Sequence, residues 1–592
     1  MNKEKTSPEL EQGVLTQHAM LVAWGLYAEQ LGLISKLERV KLKQKTRRHR
    51  PQTKVLEFLV AMLAGLPHLQ DISRSAHPLD QDGVVAKAWG QPAWADYSGV
   101  SRTLQGLSAE EAAAIAEVLV EVTEPIITRE IEGILQAEEK LVYDADLTGR
   151  PVSNTSSSYP NTAFGYMGDT VSLGYQAALV SFHSPSFGRL WLGNQLHPGD
   201  TVSATEAQTL VRAAEERTGV WPRRRVEWVE RRLQRLKETW LAAEEQAQQS
   251  EERLMEVQSV VKDVAAKLAY WRREATQFEG EYRYAGRQTT SHCKLTRAKR
   301  RINTYEKQLP RRQKDLAVAE RRWQRHDKQA DSSKEAWERL QRHYEQLLAD
   351  NVANPHPVQA VFRLDGGFAS RENIDWLIEM GYDIYTKSRS TKVRDTLSND
   401  LNPDVKEQRV GGNATLTAWA STTVDDYYTY PMNVALARYH TGDTSRRSVL
   451  LHFGDEAVTD DLDAWFHAYN GRQTIEAGIK EGKGVFQMHH LKVRSTNALL
   501  LQEHFACFAA NFVRFAAHWL TQQQTHASTI QTHSVKHMVT VIANTSAQVW
   551  QQGDVWFLRF TEQSFYAGLV LRFGKGAIQL PLPLYNFQNS YL

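Results

Sequence analysis

The chain has 592 residues, with 71 Lys and Arg against 69 Asp and Glu, and 42% of it is apolar. That length exceeds one ordinary domain, and a net charge of +2 neither demands nor excludes a nucleic-acid partner, which local patches must decide. Only Cys293 and Cys507 occur, far apart, which excludes a disulfide framework and a cysteine-based zinc site. No apolar run approaches the ~20 residues of a membrane span. The opening MNKEKTSPELEQG has no apolar core of a secretory signal. A soluble cytoplasmic protein is expected.

Residues 1–139 read as mostly helical. Leu56 to Val60 with Met62 and Leu63 form one apolar patch, and a longer pattern runs from Ser108 to Ile127. Ser108 followed by Glu110 and Glu111 is a helix start with acids in the first turn. Between Lys36 and Lys54 lies a basic run that includes KLKQKTRRHR. A solvated loop accounts for such a run as well as a grip on DNA phosphates does.

At Lys140 the pattern changes. KLVYDADLTG is a short apolar run ending in acids and Gly, the mark of a buried strand that delivers side chains at its exit. Two further strands, DTVSLGYQAALVSF and GRLWLGNQL, and a helix from Ser203 to about Arg217 complete a first α/β segment, 140–221.

From Val226 the period becomes heptad. Val226, Val229, Leu233, Leu236 and Trp240 begin one series, and Leu295, Ala298, Ile302, Tyr305 and Leu309 a second. Alternating steps of three and four over many heptads predict a coiled coil. The break at EGEYRYAGRQTTSH makes 222–352 an antiparallel hairpin, with arms of about 80 Å at 1.5 Å per residue. Pro310 should kink the second arm.

Strand patterning resumes in 353–387, where VQAVFRLDGGF ends in Asp365 and glycines, followed by a helix from Arg371 to Met380 and the strand YDIYTKS. Residues 388–455, rich in Thr, Val and Tyr, suggest a small β insertion. Segment 456–527 holds a charged helix and an apolar helix from Asn497 to Leu520. Residues 528–592 form a tail with strand-like DVWFLRF and AGLVLRF.

The charged helix in 456–527 gives the rest its meaning. Read as one helix, Tyr469, Arg472, Glu476, Lys480 and Lys483 are spaced by three or four residues, within a sector of roughly 80°. A carboxylate among cations suits a metal site on a nucleic-acid backbone. The spacing Tyr-x2-Arg-x3-Glu-x6-Lys resembles the signature of the DDE transposases of bacterial cut-and-paste insertion sequences, whose third catalytic acid is that Glu.

The resemblance implies an RNase H-like catalytic core with a helical N-terminal DNA-binding domain over 1–139. The core would span 140–520, interrupted by the coiled coil, which departs from the usual family layout. Its acids come from the first strand, the fourth strand and a late helix. Here these are Asp146 or Asp144, then Asp365, then Glu476, and together they would bind Mg²⁺, with Mn²⁺ as a substitute. Asp146-Leu147-Thr148 fits the family's Asp-x-Thr and favours Asp146, with Asp144 as the alternative; Asp365-Gly366-Gly367-Phe368 resembles its second-acid motif, Asp-x-Gly-aromatic. The resemblance also implies that Tyr469, Arg472, Lys480 and Lys483 contact DNA, and that Trp419 stacks a base flipped out near the cleavage site. Packing in a strand is the commoner role for such a Trp. His489-His490 are adjacent on one element and so do not point to a shared ion. The implied activity is metal-dependent cleavage at transposon ends and strand transfer into target DNA. The implied partners are terminal-repeat and target duplexes, with a homodimer in the complex, no membrane, and a place in the cytoplasm at the bacterial nucleoid.

Two other classes compete. A structural coiled-coil protein of the chromosome-organising type needs a phosphate-binding Gly-x4-Gly-Lys-[Ser/Thr] loop, and the sequence has none. A transposase descendant that binds DNA without cutting is opposed by the three acids in order.

Overall fold

The structure is a computed structural model that describes residues 13–574 apart from 47, 169, 402–406, 442–443, 455–457, 487, 489–490, 523–533, 565 and 568. His489 and His490 lie outside the described residues. The chain divides into two compact units, one formed by 1–223 with 356–592 and one by Arg224–Pro355.

In the first unit the sheet grows outward from β1 (Leu141–Pro151). It is joined by β2 (Ala163–Tyr166), β3 (Val171–Ser184), β4 (Gly188–Pro198), β5 (Ala360–Leu364) and β6 (Asp383–Ser388). Strand β3 pairs antiparallel with both β1 and β4. On the other side β5 runs parallel to β1, from Leu141↔Ala360 to Ala145↔Leu364, and β6 runs parallel to β5. The sheet does not stop there. Strands β7 (Gln408–Val410), β8 (Ala414–Thr422), β9 (Met432–Thr441) and β10 (Thr444–Phe453) follow. β10 pairs antiparallel with β6, giving the order β2-β3-β1-β5-β6-β10-β9-β8-β7, with β4 on β3.

The strands of 388–455 therefore extend the main sheet. Their alternation alone does not reveal this, because a half-buried antiparallel strand has period 2 whatever its neighbour. β1 is also longer than expected, so Asp144 and Asp146 sit inside it. Its parallel ladder with β5 ends at Ala145, and this opens the β5 side of the strand at Asp146.

The two faces of this sheet differ. On one, Tyr143 stacks on Phe362 at 5.0 Å, with Tyr382 edge-on to Phe362 at 4.9 Å. Helix α1 (Ser203–Thr218) covers that face, and Glu215 accepts a 2.8 Å hydrogen bond from the Tyr382 hydroxyl. On the other face the even-numbered β1 residues Asp144, Asp146, Thr148 and Arg150 form one column, as period 2 requires.

The N-terminal region is helical, as its sequence predicts. Its longest helix, Ala109–Gln136, starts with a complete capping box between Ser108 and Glu111. The tail does not stand apart: strands Ala547–Gln552, Val555–Phe560 and Val570–Phe573 form a four-stranded antiparallel sheet with Val14–Thr16.

The second unit is the hairpin of α2 (Val226–Tyr284) and α3 (Lys294–Ala353). Its antiparallel register is set by Arg224–Asp350 at 2.9 Å, Trp240 stacked on Trp337 at 5.1 Å, and Arg272–Glu306 at 2.7 Å. The seam includes a polar layer, where the Ser250 hydroxyl lies 2.6 Å from His326 Nδ1. Pro310 lies inside α3, which continues as one helix through it.

Candidate active site

Beyond α4 (Arg371–Glu379), which links β5 to β6, the helical signature is two helices and not one: α5 (Leu462–Asn470) and α6 (Gln473–Val485), broken at Gly471 and Arg472. A Cβ at Gly471 would run into the guanidinium of Arg363, so a larger residue there would have to displace the side chain that Asp144 holds. Charges spaced by three and four residues read alike across such a joint, which is why the sequence suggests one continuous face.

The joint places Arg472 among the acids. Its guanidinium lies 3.6 Å from Asp146 Oδ2, 3.7 Å from Asp365 Oδ1 and 2.6 Å from Glu476 Oε1. Asp146 comes from β1, Asp365 directly follows β5, and Glu476 sits in the first turn of α6. Three elements far apart in sequence thus converge on one cation. Asp365 is held by the turn that follows, where its carbonyl accepts from the Phe368 N–H at 2.9 Å and Phe368 is fully buried. Neither Gly366 nor Gly367 adopts positive φ. A Cβ at Gly367 would instead press on Ser203 Oγ at 2.7 Å, so close packing against α1 accounts for that glycine.

The electrostatics follow from this crowding. Burial pushes Asp146 up to about 6, and Asp365 and Glu476 add to the rise, while Arg472 and the Leu147 N–H oppose it. Burial works against the charge of Arg472, but Tyr469 and the three acids outweigh it and hold its pKa above the ordinary value.

Asp144 has a different setting. It is 1% exposed and takes two 2.7 Å hydrogen bonds from Nε and Nη2 of Arg363, its register partner on β5. The structure thus brings Asp146, Asp365 and Glu476 together around Arg472, and it places Asp144 in a separate ion pair.

Tyr469 is 2% exposed, with the Lys387 ammonium 5.0 Å from its ring centre; burial raises its phenol pKa well above the usual range. Its ring belongs to the buried cluster that contains Trp465 and Phe466. Lys483 is half-buried: burial first, then Arg150, lower its pKa, while Asp146 and Glu503 raise it. Lys480 is exposed on α6. Trp419 is half-buried on β8, three strands from β6, or roughly 14 Å at ~4.8 Å per strand.

Two features escaped the sequence reading. Lys387, near the end of β6, is a further cation of the site. Burial and Arg472 lower its pKa, while Asp365 and Glu476 raise it. The signal was present, since neighbouring parallel strands exit on the same edge and YDIYTKS ends beside Asp365. The second is Arg150 with Glu503 of α7 (Thr496–Gln522), a buried pair joined by two 2.9 Å hydrogen bonds. An acid inside an apolar helix gives no sign of its partner on a strand.

Among the described residues, no three His, Cys, Asp or Glu are grouped as a metal site. Arg472 stands between the three acids, and they are spaced by its guanidinium. As donors they are all carboxylate oxygens, the chemistry a hard divalent cation prefers. Also among the described residues, no helix is long and apolar enough to cross a membrane. No protein-family profile and no curated protein matches the chain.

Proposed function

We propose that this protein is a DDE-type transposase with an RNase H-like core, cutting DNA at the ends of a mobile element and joining those ends to a target duplex. The observation that carries this reading is the convergence of Asp146, Asp365 and Glu476 on Arg472. With the short β2 set aside, the acids come from the first strand, the fourth strand and a late helix, in the order the resemblance implies. The sheet order β4-β3-β1-β5-β6, with β5 and β6 parallel to β1, supports the same core.

Asp146, Asp365 and Glu476 would hold Mg²⁺ or Mn²⁺, which when bound activates water and stabilises the leaving oxygen of a phosphodiester. Arg472 offsets part of the acids' charge before DNA arrives. Its planar fork suits a phosphate equally well, so a scissile phosphate offers it an alternative partner. Lys387 and Lys483 flank the acids and add positive charge where a DNA backbone would lie. Tyr469 fills the space beneath Arg472 and keeps the joint between α5 and α6 closed.

Cleavage of a duplex carrying the element's terminal repeat tests the reading. Asp365→Asn and Glu476→Gln should each lower metal-dependent cleavage by at least about 10³-fold, or about 4 kcal/mol of transition-state stabilisation, with binding retained. Asp146→Asn should do the same, while Asp144→Asn should act through stability. Wild-type cleavage by Glu476→Gln would end the proposal.

A further inference from the structure

The hairpin unit carries its charge unevenly. From Tyr282 to Lys314 there are eleven Lys or Arg and a single acid, Glu306. The rest of the two helices is close to balanced: 226–281 holds nine cations and twelve acids, and 315–353 seven cations and eight acids. The excess is thus confined to the turn end, and all eleven cations are exposed.

They are also ordered. Leu295, Ala298 and Ile302 pack in the seam with Ala275 and Trp271. At 100° per residue, Arg297, Arg300, Arg301, Lys307, Arg311 and Lys314 fall on the opposite side of α3, in a sector of roughly 140°. The stripe is about 26 Å long at 1.5 Å per residue. Among the described residues, none of these six is in an ion pair of the kind that Lys299 makes with Glu279. Arg283 and Arg287 continue the charge into the turn, and Tyr284 beside them is 97% exposed.

We infer that the turn end of the hairpin is a second DNA-binding surface, gripping the phosphates of a duplex without reading its sequence. A broad stripe of unpaired cations is complementary to the negative charge of a phosphate backbone. Arginine predominates among them, and its fork is the better phosphate ligand. The balanced remainder of the arms lacks this complementarity. The inference does not rest on the catalytic reading, because binding at this surface needs neither the three acids nor a metal.

The experiment uses the full-length protein, an unrelated duplex of about 30 base pairs, EDTA, and a series of salt concentrations. Replacing Arg297, Arg300, Arg301 and Arg311 by Gln should reduce the slope of log affinity against log salt by about three to four, at about 0.9 per phosphate contact. An equal loss of charge farther along α3, with Arg321, Arg322, Arg325 and Lys328 replaced by Gln, should leave the slope unchanged. Arg283→Gln with Arg287→Gln, at the end of α2 and in the turn, should lower it by about one to two even if the fourfold variant loses helix by circular dichroism. The turn-end substitutions leave Asp146, Asp365, Glu476 and Arg472 untouched and the assay contains EDTA, so a failed cleavage mechanism and a failed surface are read separately. Equal slopes in the turn-end and mid-arm variants would overturn the inference. So would turn-end variants that keep DNA binding but no longer bind phosphatidylserine vesicles, since the surface would then fit an anionic membrane.

Discussion

Asp144 and Asp146 stand two residues apart on one face of β1, and each meets an arginine, yet the two corners differ in kind. At Asp144 one acid and one arginine match one to one, with two 2.7 Å bonds and almost no solvent. At Asp146 one arginine is divided among three acids, two of them beyond hydrogen-bond distance, and Asp365 and Glu476 are 47% and 41% exposed. A closed pair has nothing left to offer a ligand. An arginine shared by three carboxylates holds them together and can be drawn away by a better anion. The same residue types thus serve structure at one corner and the proposed chemistry at the other.

The comparison breaks most visibly if the closed corner is opened. Asp144→Ala leaves Arg363 buried without its partner and should cost about 3–5 kcal/mol in denaturant unfolding. The double variant Asp144→Leu with Arg363→Met should recover most of that loss. A loss below about 1 kcal/mol in the single variant would show that the pair carries no structural weight. Gly471→Ala comes next. The added methyl meets the Arg363 guanidinium, and the cost should be about 1–3 kcal/mol.

At the open corner the expected sign reverses. Folding raises Asp146 to about 6, above the ordinary value of about 3.9, so its ionised form costs stability. That cost is fully present above pH 6 and fades as pH falls from 6 towards 4. Asp146→Asn should therefore be more stable than wild type by roughly 1–3 kcal/mol at pH 8, with the gap closing by pH 4. A variant less stable than wild type at pH 8 would remove the contrast between the corners. The smallest effect is expected for Glu476→Gln, whose half-open carboxylate should change stability by less than about 1 kcal/mol while its cleavage is lost.

The sequence was most informative where order is local. The heptads of α2 and α3 specified a hairpin and its turn, because every seam contact obeys one short period. The acids of β1 and the Asp365 turn stood out as polar residues closing apolar runs. Partners brought by distant segments were not legible: Arg363 for Asp144, Glu503 for Arg150, and β10 for β6. Nor was the joint at Gly471 readable, since the glycine answers to a guanidinium on another strand.

The chain order of the three acids carries a consequence for synthesis. Asp365 follows Asp146 by 219 residues, and Glu476 follows by a further 111. At roughly 5–20 residues per second, Asp146 emerges from the ribosome roughly 15–65 s before Glu476 is made. Until β5 is made, β1 has only β3 beside it, while the hairpin, whose contacts are internal, can close on itself. The guanidinium that gathers the acids is itself among the last parts of the site to appear. A chain that ends anywhere in the hairpin therefore carries Asp146 but neither Asp365 nor Glu476, so under the proposed mechanism such an incomplete copy would be unable to cut DNA.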